Sequence, residues 1–372
     1  MPAKCSDIFR LIEEMAPLNL AESWDNSGLQ VGDPRVEVEK VLLTLDVDIR
    51  VAREAKTRGC RLIVSHHPLL FKPAGSIRFD RPAGELIAYL VKNDLQVYAA
   101  HTNLDNAAGG VSKALAEELG LKKQAVLNQS GRERLLKLAV FVPLEHCEAV
   151  RNAMSEAGAG WIGNYSHCTF LTRGTGTFKP LQGTNPYIGK TGVVEHVDEI
   201  KIETVVPASR LEPVLQAMLE AHPYEEVAYD LYGLVNSGPA YGAGRLGELE
   251  ETVSFLQFAE KVKSVLGLTA LRLGGSFDSP VRKVAVCGGS GADFWQDALA
   301  AGADTFVTGD LKYHTAQDML AAGLKFIDPG HFGTEAVVLP VLQRFLVSRC
   351  REKNMDVEIV LAQTNTDPFA YL

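Results

Sequence analysis

Three apolar segments of this sequence each run straight into histidine, and that arrangement narrows what the chain can fold into. Leu62-Ile63-Val64 leads into Ser65-His66-His67-Pro68. Val97-Tyr98-Ala99-Ala100 leads into His101, with Asp105 four residues on. Lys325-Phe326-Ile327 leads into Asp328-Pro329-Gly330-His331, with Glu335 four residues on. Short apolar runs closed by proline or a polar turn read as strands, since proline has no N–H to give to a ladder. Three strands thus deliver imidazoles and carboxylates just past their carboxyl ends, where sites form in open α/β sheets.

The segments around these strands set the fold class. Lys40 to Asp46 reads as a further strand and Val47 to Arg58 as a helix. Helices are also expected over Ala83 to Lys92 and over Val111 to Leu119, the latter closed by Gly120. Residues 1–130 and 241–372 read as two halves of one α/β domain with mainly parallel sheets. Residues 131–240 follow a different rhythm. Leu135–Val142 is a strand, Leu144–Ala157 a helix, Tyr165–Thr172 and Val193–Val206 strands, Ala208–Ala221 a helix and Val227–Val235 a strand. That order, βαββαβ, predicts a ferredoxin-like insertion. A Gly/Pro-rich loop, Gly174 to Gly192, joins its second and third strands. The polar stretch Gln124 to Arg134 and the glycine-rich stretch Asn236 to Gly247 read as its boundaries. In the outer half, Gly333 to Cys350 reads as one long helix.

Composition removes several classes. The net charge of −9 gives no electrostatic footprint for general nucleic-acid binding. No apolar run approaches a membrane span. Met1 to Met15 lacks the apolar core of a signal peptide and reads as an amphipathic helix, with Ile8, Leu11, Ile12 and Met15 on one face. The six cysteines are scattered with no C-x-x-C pair, the pattern of free thiols in a reducing cytoplasm.

The chemistry concentrates in His66, His67, His101, Asp105, His331 and Glu335. Imidazole nitrogen with carboxylate oxygen suits divalent transition metals, zinc first, with iron, manganese, cobalt or nickel as alternatives. Six donors exceed what one tetrahedral ion takes, and two carboxylates can bridge a pair of ions that activates a water. Any one of these histidines alone reads as a surface or hydrogen-bonded residue; three strand ends together read as a metal site. His66 and His67 can converge only if the strand has ended, because neighbours in a strand point to opposite faces. Gly288-Gly289-Ser290-Gly291 reads as a tight turn or as a phosphate cradle, without the Walker lysine. His314, past another strand end, is either a general acid or a surface helix residue. Asp25 and Asp46 are either groups that orient an imidazole or helix and loop caps.

Several motifs together are familiar. They are Trp24-Asp25-Asn26-Ser27-Gly28-Leu29-Gln30-Val31-Gly32, Ser65-His66-His67-Pro68-Leu69, His101-Thr102-Asn103-Leu104-Asp105, Gly309-Asp310 with His314, and Gly330-His331 with Glu335. In combination they resemble the GTP cyclohydrolase 1 type 2 homologue family, also called Ngg-one-interacting-factor-three-like, over both outer segments. The resemblance implies a dinuclear site with all six residues as ligands, and a toroidal homohexamer. Tyr165-Ser166-His167-Cys168, Asn185-Pro186 and His222-Pro223-Tyr224-Glu225-Glu226 resemble the PII/CutA-like insertion of its long bacterial members. The leading expectation is a metal-dependent hydrolase acting on a nucleotide or phosphoester. The alternative is a non-catalytic metal-binding or regulatory assembly whose insertion senses a small ligand.

Overall fold

The protein is described here by a computed structural model covering residues 3–370. It is a mixed α/β structure with several sheets. The chain divides into two compact units, one comprising everything up to Ser130 and from Tyr241 onward, the other Gly131–Ala240.

The first unit holds two large sheets. One runs in the order Glu358–Leu361, Lys40–Thr44, Leu62–Ser65, Gln96–Ala99 and Gly28–Val31. Its first four strands are parallel, and Gly28–Val31 joins antiparallel at the edge. All residues of Leu62–Ser65 and Gln96–Ala99 are buried, as expected for central parallel strands covered on both faces. The helix that follows Lys40–Thr44 starts at Ile49 because Asp48 caps it, Oδ1 accepting from the N–H groups of Arg50 and Val51 at 2.8 and 2.9 Å.

The second sheet runs Arg272–Gly274, Lys325–Asp328, Thr305–Val307, Pro280–Val286, Ala240–Ser254 and Lys122–Arg132. Three of its inner strands, Lys325–Asp328, Thr305–Val307 and Pro280–Val286, are mutually parallel. Arg272–Gly274 and Ala240–Ser254 run antiparallel to their neighbours, so this sheet is mixed rather than mainly parallel. The expected linkers at 124–134 and 236–247 correspond largely to two of its strands, and the unit boundary falls within them.

Helices cover both sheets. Cys5–Met15 buries Ile8, Leu11 and Ile12 in one core with Val338, Leu342 and Leu346 from the helix Val338–Glu352. The expected helix beginning at Met1 starts instead at Cys5, after a short strand Ala3–Lys4; its first two residues lie outside those described. The single helix expected over 333–350 is two helices, His331–Glu335 and Val338–Glu352.

The second unit is a four-stranded antiparallel sheet in the order Tyr229–Gly233, Leu135–Pro143, Glu195–Pro207 and Thr169–Phe178. Helices Cys147–Glu156 and Leu211–Ala221 pack on one face, where Val140, Ile200 and Ile202 meet Val150, Met154 and Val214. Phe141 and Glu199 alternate onto the other face.

No helix among the described residues is long and apolar enough to cross a membrane.

Candidate metal centre

The site lies in the first unit, at the carboxyl ends of Leu62–Ser65, Gln96–Ala99 and Lys325–Asp328. The first of these strands stops at Ser65. Beyond it the N–H groups of His66 and His67 reach Thr44 O and Leu45 O, at 3.1 and 2.9 Å, and the alternation of a strand no longer separates their rings. Their ring centroids are 5.0 Å apart. His101 immediately precedes the one-turn helix Thr102–Asn106, and Asp105 lies within it. His331 and Glu335 bound another, so their side chains share a face and meet, Nε2 to Oε1, at 3.2 Å.

Every one of the four imidazoles has its Nδ1 held by an oxygen. His66 Nδ1 lies 2.8 Å from Ala100 O, His67 Nδ1 2.8 Å from Asp46 Oδ1, His101 Nδ1 2.7 Å from Asp25 Oδ1, and His331 Nδ1 2.7 Å from Asp310 Oδ2. A carbonyl or carboxylate only accepts, so Nδ1 carries the proton. In the neutral ring Nε2 is then the lone pair, and the four histidines belong to one cluster. His66 Nε2 lies 3.6 Å from both Asp105 Oδ1 and Glu335 Oε1. His67 Nε2 lies 3.0 Å from Glu335 Oε2 and 3.2 Å from His331 Nε2. Two groups are tight enough to hold an ion: His66, His67 and His101, and His67, His331 and Glu335, with ligand atoms within 4.8 Å of one another in each. His67 belongs to both.

The donor set fits a cation. His66 Nε2 is buried without a hydrogen-bond partner among the described residues, with the nearest carboxylate oxygens at 3.6 Å. Such an orphan is costly unless something else satisfies it. Electrostatics agrees. Burial opposes a charged His67, but the carboxylates of Asp46 and Glu335 outweigh it and raise its pKa from 6.5 to about 10. Glu335, burial opposing, and Asp310 raise His331 to about 9. Burial raises the Asp105 carboxyl, while His66 pulls it down and Glu335 adds to the rise. Glu335 is held well below the usual carboxylate range by His66, His331 and His67 in spite of burial. Protons therefore collect where a metal ion would neutralise the same charge.

The orienting carboxylates are themselves fixed. Burial acts to raise the Asp25 carboxyl, yet hydrogen bonds from His101, Thr102 and Ser27 hold it below the usual range. Thr366 donates to Asp46 Oδ2 at 2.7 Å. Asp310, a residue with φ of +55°, follows the strand Thr305–Val307 and was in no assigned role from sequence. Its pairing with Gly309 past a strand end was the available signal.

The glycine loop 288–291 resolves as a turn. Its N–H groups at Gly288, Gly289 and Gly291 go to the hydroxyls of Ser112, Thr334 and Thr308, which leaves them unavailable to a phosphate. Its glycines serve close approach instead. A Cβ at Gly289 would stand 2.1 Å from Glu335 Oε1, and φ there is +63°. His314 lies on the first turn of the helix Tyr313–Ala321, exposed, with Nδ1 3.2 Å from Gln317 Oε1 and its ring against Tyr313. Beside His101 stand two exposed aromatics, Trp24 and Phe71, each with its ring centroid 6.3 Å from the imidazole.

Comparison with known proteins follows the same line. The family model described as Duf34/NIF3 (NGG1p interacting factor 3) matches residues 3–368. A Halalkalibacterium halodurans protein named GTP cyclohydrolase 1 type 2 homolog is 45% identical over 365 residues, covering 98% of each chain. A Bacillus subtilis protein of the same name is 44% identical over 365 residues, again covering 98% of each. A crystal structure of a Bacillus cereus protein related to NIF3 matches with a TM-score of 0.88 and 45% identity, covering 100% of both chains.

Proposed function

This chain belongs to the Duf34/NIF3 family, and from that premise we propose that its histidine cluster is the dinuclear metal centre of a hydrolase acting on a nucleotide or phosphoester. The observation that carries the reading is that Nδ1 of each of His66, His67, His101 and His331 lies 2.7 to 2.8 Å from an oxygen acceptor, which leaves Nε2 of each to coordinate. Those four residues with Asp105 and Glu335 would hold two divalent ions, zinc favoured by the nitrogen-rich donor set. Bound metal would supply Lewis acidity and lower the pKa of water to roughly 7.

The chain's own groups do the rest. Asp25, Asp46 and Asp310 keep the imidazoles aligned. Trp24 and Phe71 offer exposed ring faces beside His101, on which a nucleobase would stack. His314, four residues beyond Asp310 and exposed, is the proton donor we assign to the leaving group. The names of the relatives support the choice of a nucleotide. Residues 131–240 we read as a ferredoxin-like insertion, from its βαββαβ order.

A rate assay tests this. Metal-reconstituted wild type and His331→Ala are compared at matched concentration against a panel of nucleotides and phosphoesters. Turnover should vanish with chelator, return with metal and be lost in the variant. Equal residual rates in both proteins would contradict catalysis at this site.

A further inference from the structure

The second unit contains a cavity that the metal centre does not use. It has a volume of about 530 Å³, within the roughly 300–1,000 Å³ range of small-ligand sites. It sits on the sheet face away from the two helices, where Phe141 and Glu199 project and the segment 179–188 closes over them.

Besides Phe141, its aromatic walls come from three places in the chain. Phe178 ends the strand Thr169–Phe178, Tyr187 lies in the connection that follows, and Tyr224 lies in the turn after Leu211–Ala221. The ring of Tyr224 is 5.9 Å from that of Phe178 and 6.3 Å from that of Tyr187, both pairs tilted rather than stacked flat. Tyr224 is firmly placed. The buried His222 donates from Nε2 to Phe141 O at 3.0 Å and accepts at Nδ1 from Tyr224 N at 3.1 Å.

The charge lining the cavity is mainly negative. Glu199, Glu225 and Glu226 face a single cation, Lys179. Glu225 is engaged, accepting from Asn185 N at 3.0 and 3.2 Å and so tying the covering loop down. Glu199 accepts one bond, from Tyr224 Oη at 3.0 Å through Oε1. Its other oxygen lies over Gly176, where a Cβ would stand 2.1 Å away, so the glycine makes room for the carboxylate. Glu199 is half-buried, and a carboxylate with one neutral donor beside aromatic rings is only partly compensated for the hydration it has lost. A cation relieves that cost, and aromatic faces within about 6 Å attract it further. An anion would meet three carboxylates.

We propose that this cavity is a binding site for a small organic cation, an amine or quaternary ammonium carried on an apolar body. The test is calorimetric titration of the full chain with three probes: benzyltrimethylammonium, its neutral near-isostere 2-methyl-1-phenylpropan-2-ol, and phenylacetate. The cation should bind about tenfold more tightly than the alcohol, with no saturable binding of phenylacetate. Glu199→Gln, which keeps the volume and an acceptor for Tyr224, should abolish the preference for the cation. Phe178→Leu, a second route if the first variant unfolds, should weaken the cation several-fold more than the alcohol. Equal affinity for cation and alcohol, tighter phenylacetate, no saturable binding of the cation, or an undiminished preference in the folded variants would each overturn the proposal.

Discussion

His67 Nε2 and His331 Nε2 face one another at 3.2 Å, while the Nδ1 of each is occupied by a different carboxylate, Asp46 and Asp310. Two neutral imidazoles so arranged would oppose lone pair to lone pair. A proton or a cation between them removes the repulsion, and the raised pKa values of about 10 and about 9 show how strongly the site draws positive charge.

A pH dependence follows with a definite sign. In metal-free protein, stabilisation by these imidazoliums is complete below the ordinary value of 6.5 and is lost as pH rises through about 9 to 10. Metal must displace the same protons, so its affinity should rise with pH, about tenfold per unit for each proton released. Competition titrations with a chelating indicator across neutral pH would show the slope. A flat profile would mean that the imidazoles are not the ligands.

Replacing Asp310 with Asn removes the obligate acceptor for His331 Nδ1–H. The amide can present N–H instead, which favours the tautomer with its proton on Nε2. Metal affinity should fall by about 10- to 100-fold, with little change in the far-ultraviolet circular dichroism. Asp46→Asn should act likewise through His67. Unchanged affinity in both variants would argue that these carboxylates only fix loops.

Gly289→Ala places a methyl group against Glu335 Oε1 and adds the strain of a left-handed backbone. The left-handed backbone alone costs roughly 1–2 kcal/mol, and the displaced carboxylate should cost metal affinity as well. Gly75→Ala, with open space around it, serves as the control. Thermal unfolding of both variants, with and without added metal, distinguishes the two effects: Gly289→Ala should lose most of the metal-dependent gain, and Gly75→Ala none.

Glu54 anchors the segment that brings Thr366 to Asp46. Its carboxylate accepts from Gln363 N, Thr364 N and Thr364 Oγ1 at 2.6 to 2.9 Å and pairs with Arg58 at 2.6 Å. Burial acts to raise its pKa, but these bonds lower it from 4.5 to about 2. Its contribution is therefore present above about 4.5 and lost as pH falls through about 2. Glu54→Gln should destabilise the protein by about 1–3 kcal/mol at neutral pH, and the deficit should shrink as the wild-type carboxylate protonates. Denaturant unfolding at neutral and acid pH would test this; a pH-independent deficit would point to packing instead.

The parallel strands were legible in the sequence because burial on both faces demands unbroken apolar runs, as in Leu62-Ile63-Val64. Lys122–Arg132 was not, because none of its residues is fully buried and none has to be apolar. The first half of its partner Ala240–Ser254 falls in the stretch Asn236 to Gly247 that reads as a boundary for its glycines, yet those glycines mark tight packing. A Cβ at Gly242 would stand 2.1 Å from Asn128 O, and one at Gly247 2.8 Å from Leu121 Cβ. In the site, the histidines announce themselves at strand ends. Of their orienting carboxylates, Asp25 and Asp46 read as candidates with no imidazole assigned and Asp310 has no assigned role: Asp25 and His101 lie 76 residues apart, and Asp310 and His331 lie 21 apart. Only folding joins them. The aromatic cavity in the second unit escaped for the same reason, since Phe178, Tyr187 and Tyr224 meet only across the sheet and its covering loop.

Metal content tests the central claim most directly. Elemental analysis of reconstituted, desalted wild type should find about two divalent ions per chain, as a two-ion hydrolytic site requires. His67 is common to both ligand groups, so His67→Ala should fall well below wild type while remaining folded. A wild type that holds no metal after reconstitution, or a folded His67→Ala that holds as much as wild type, would contradict the account.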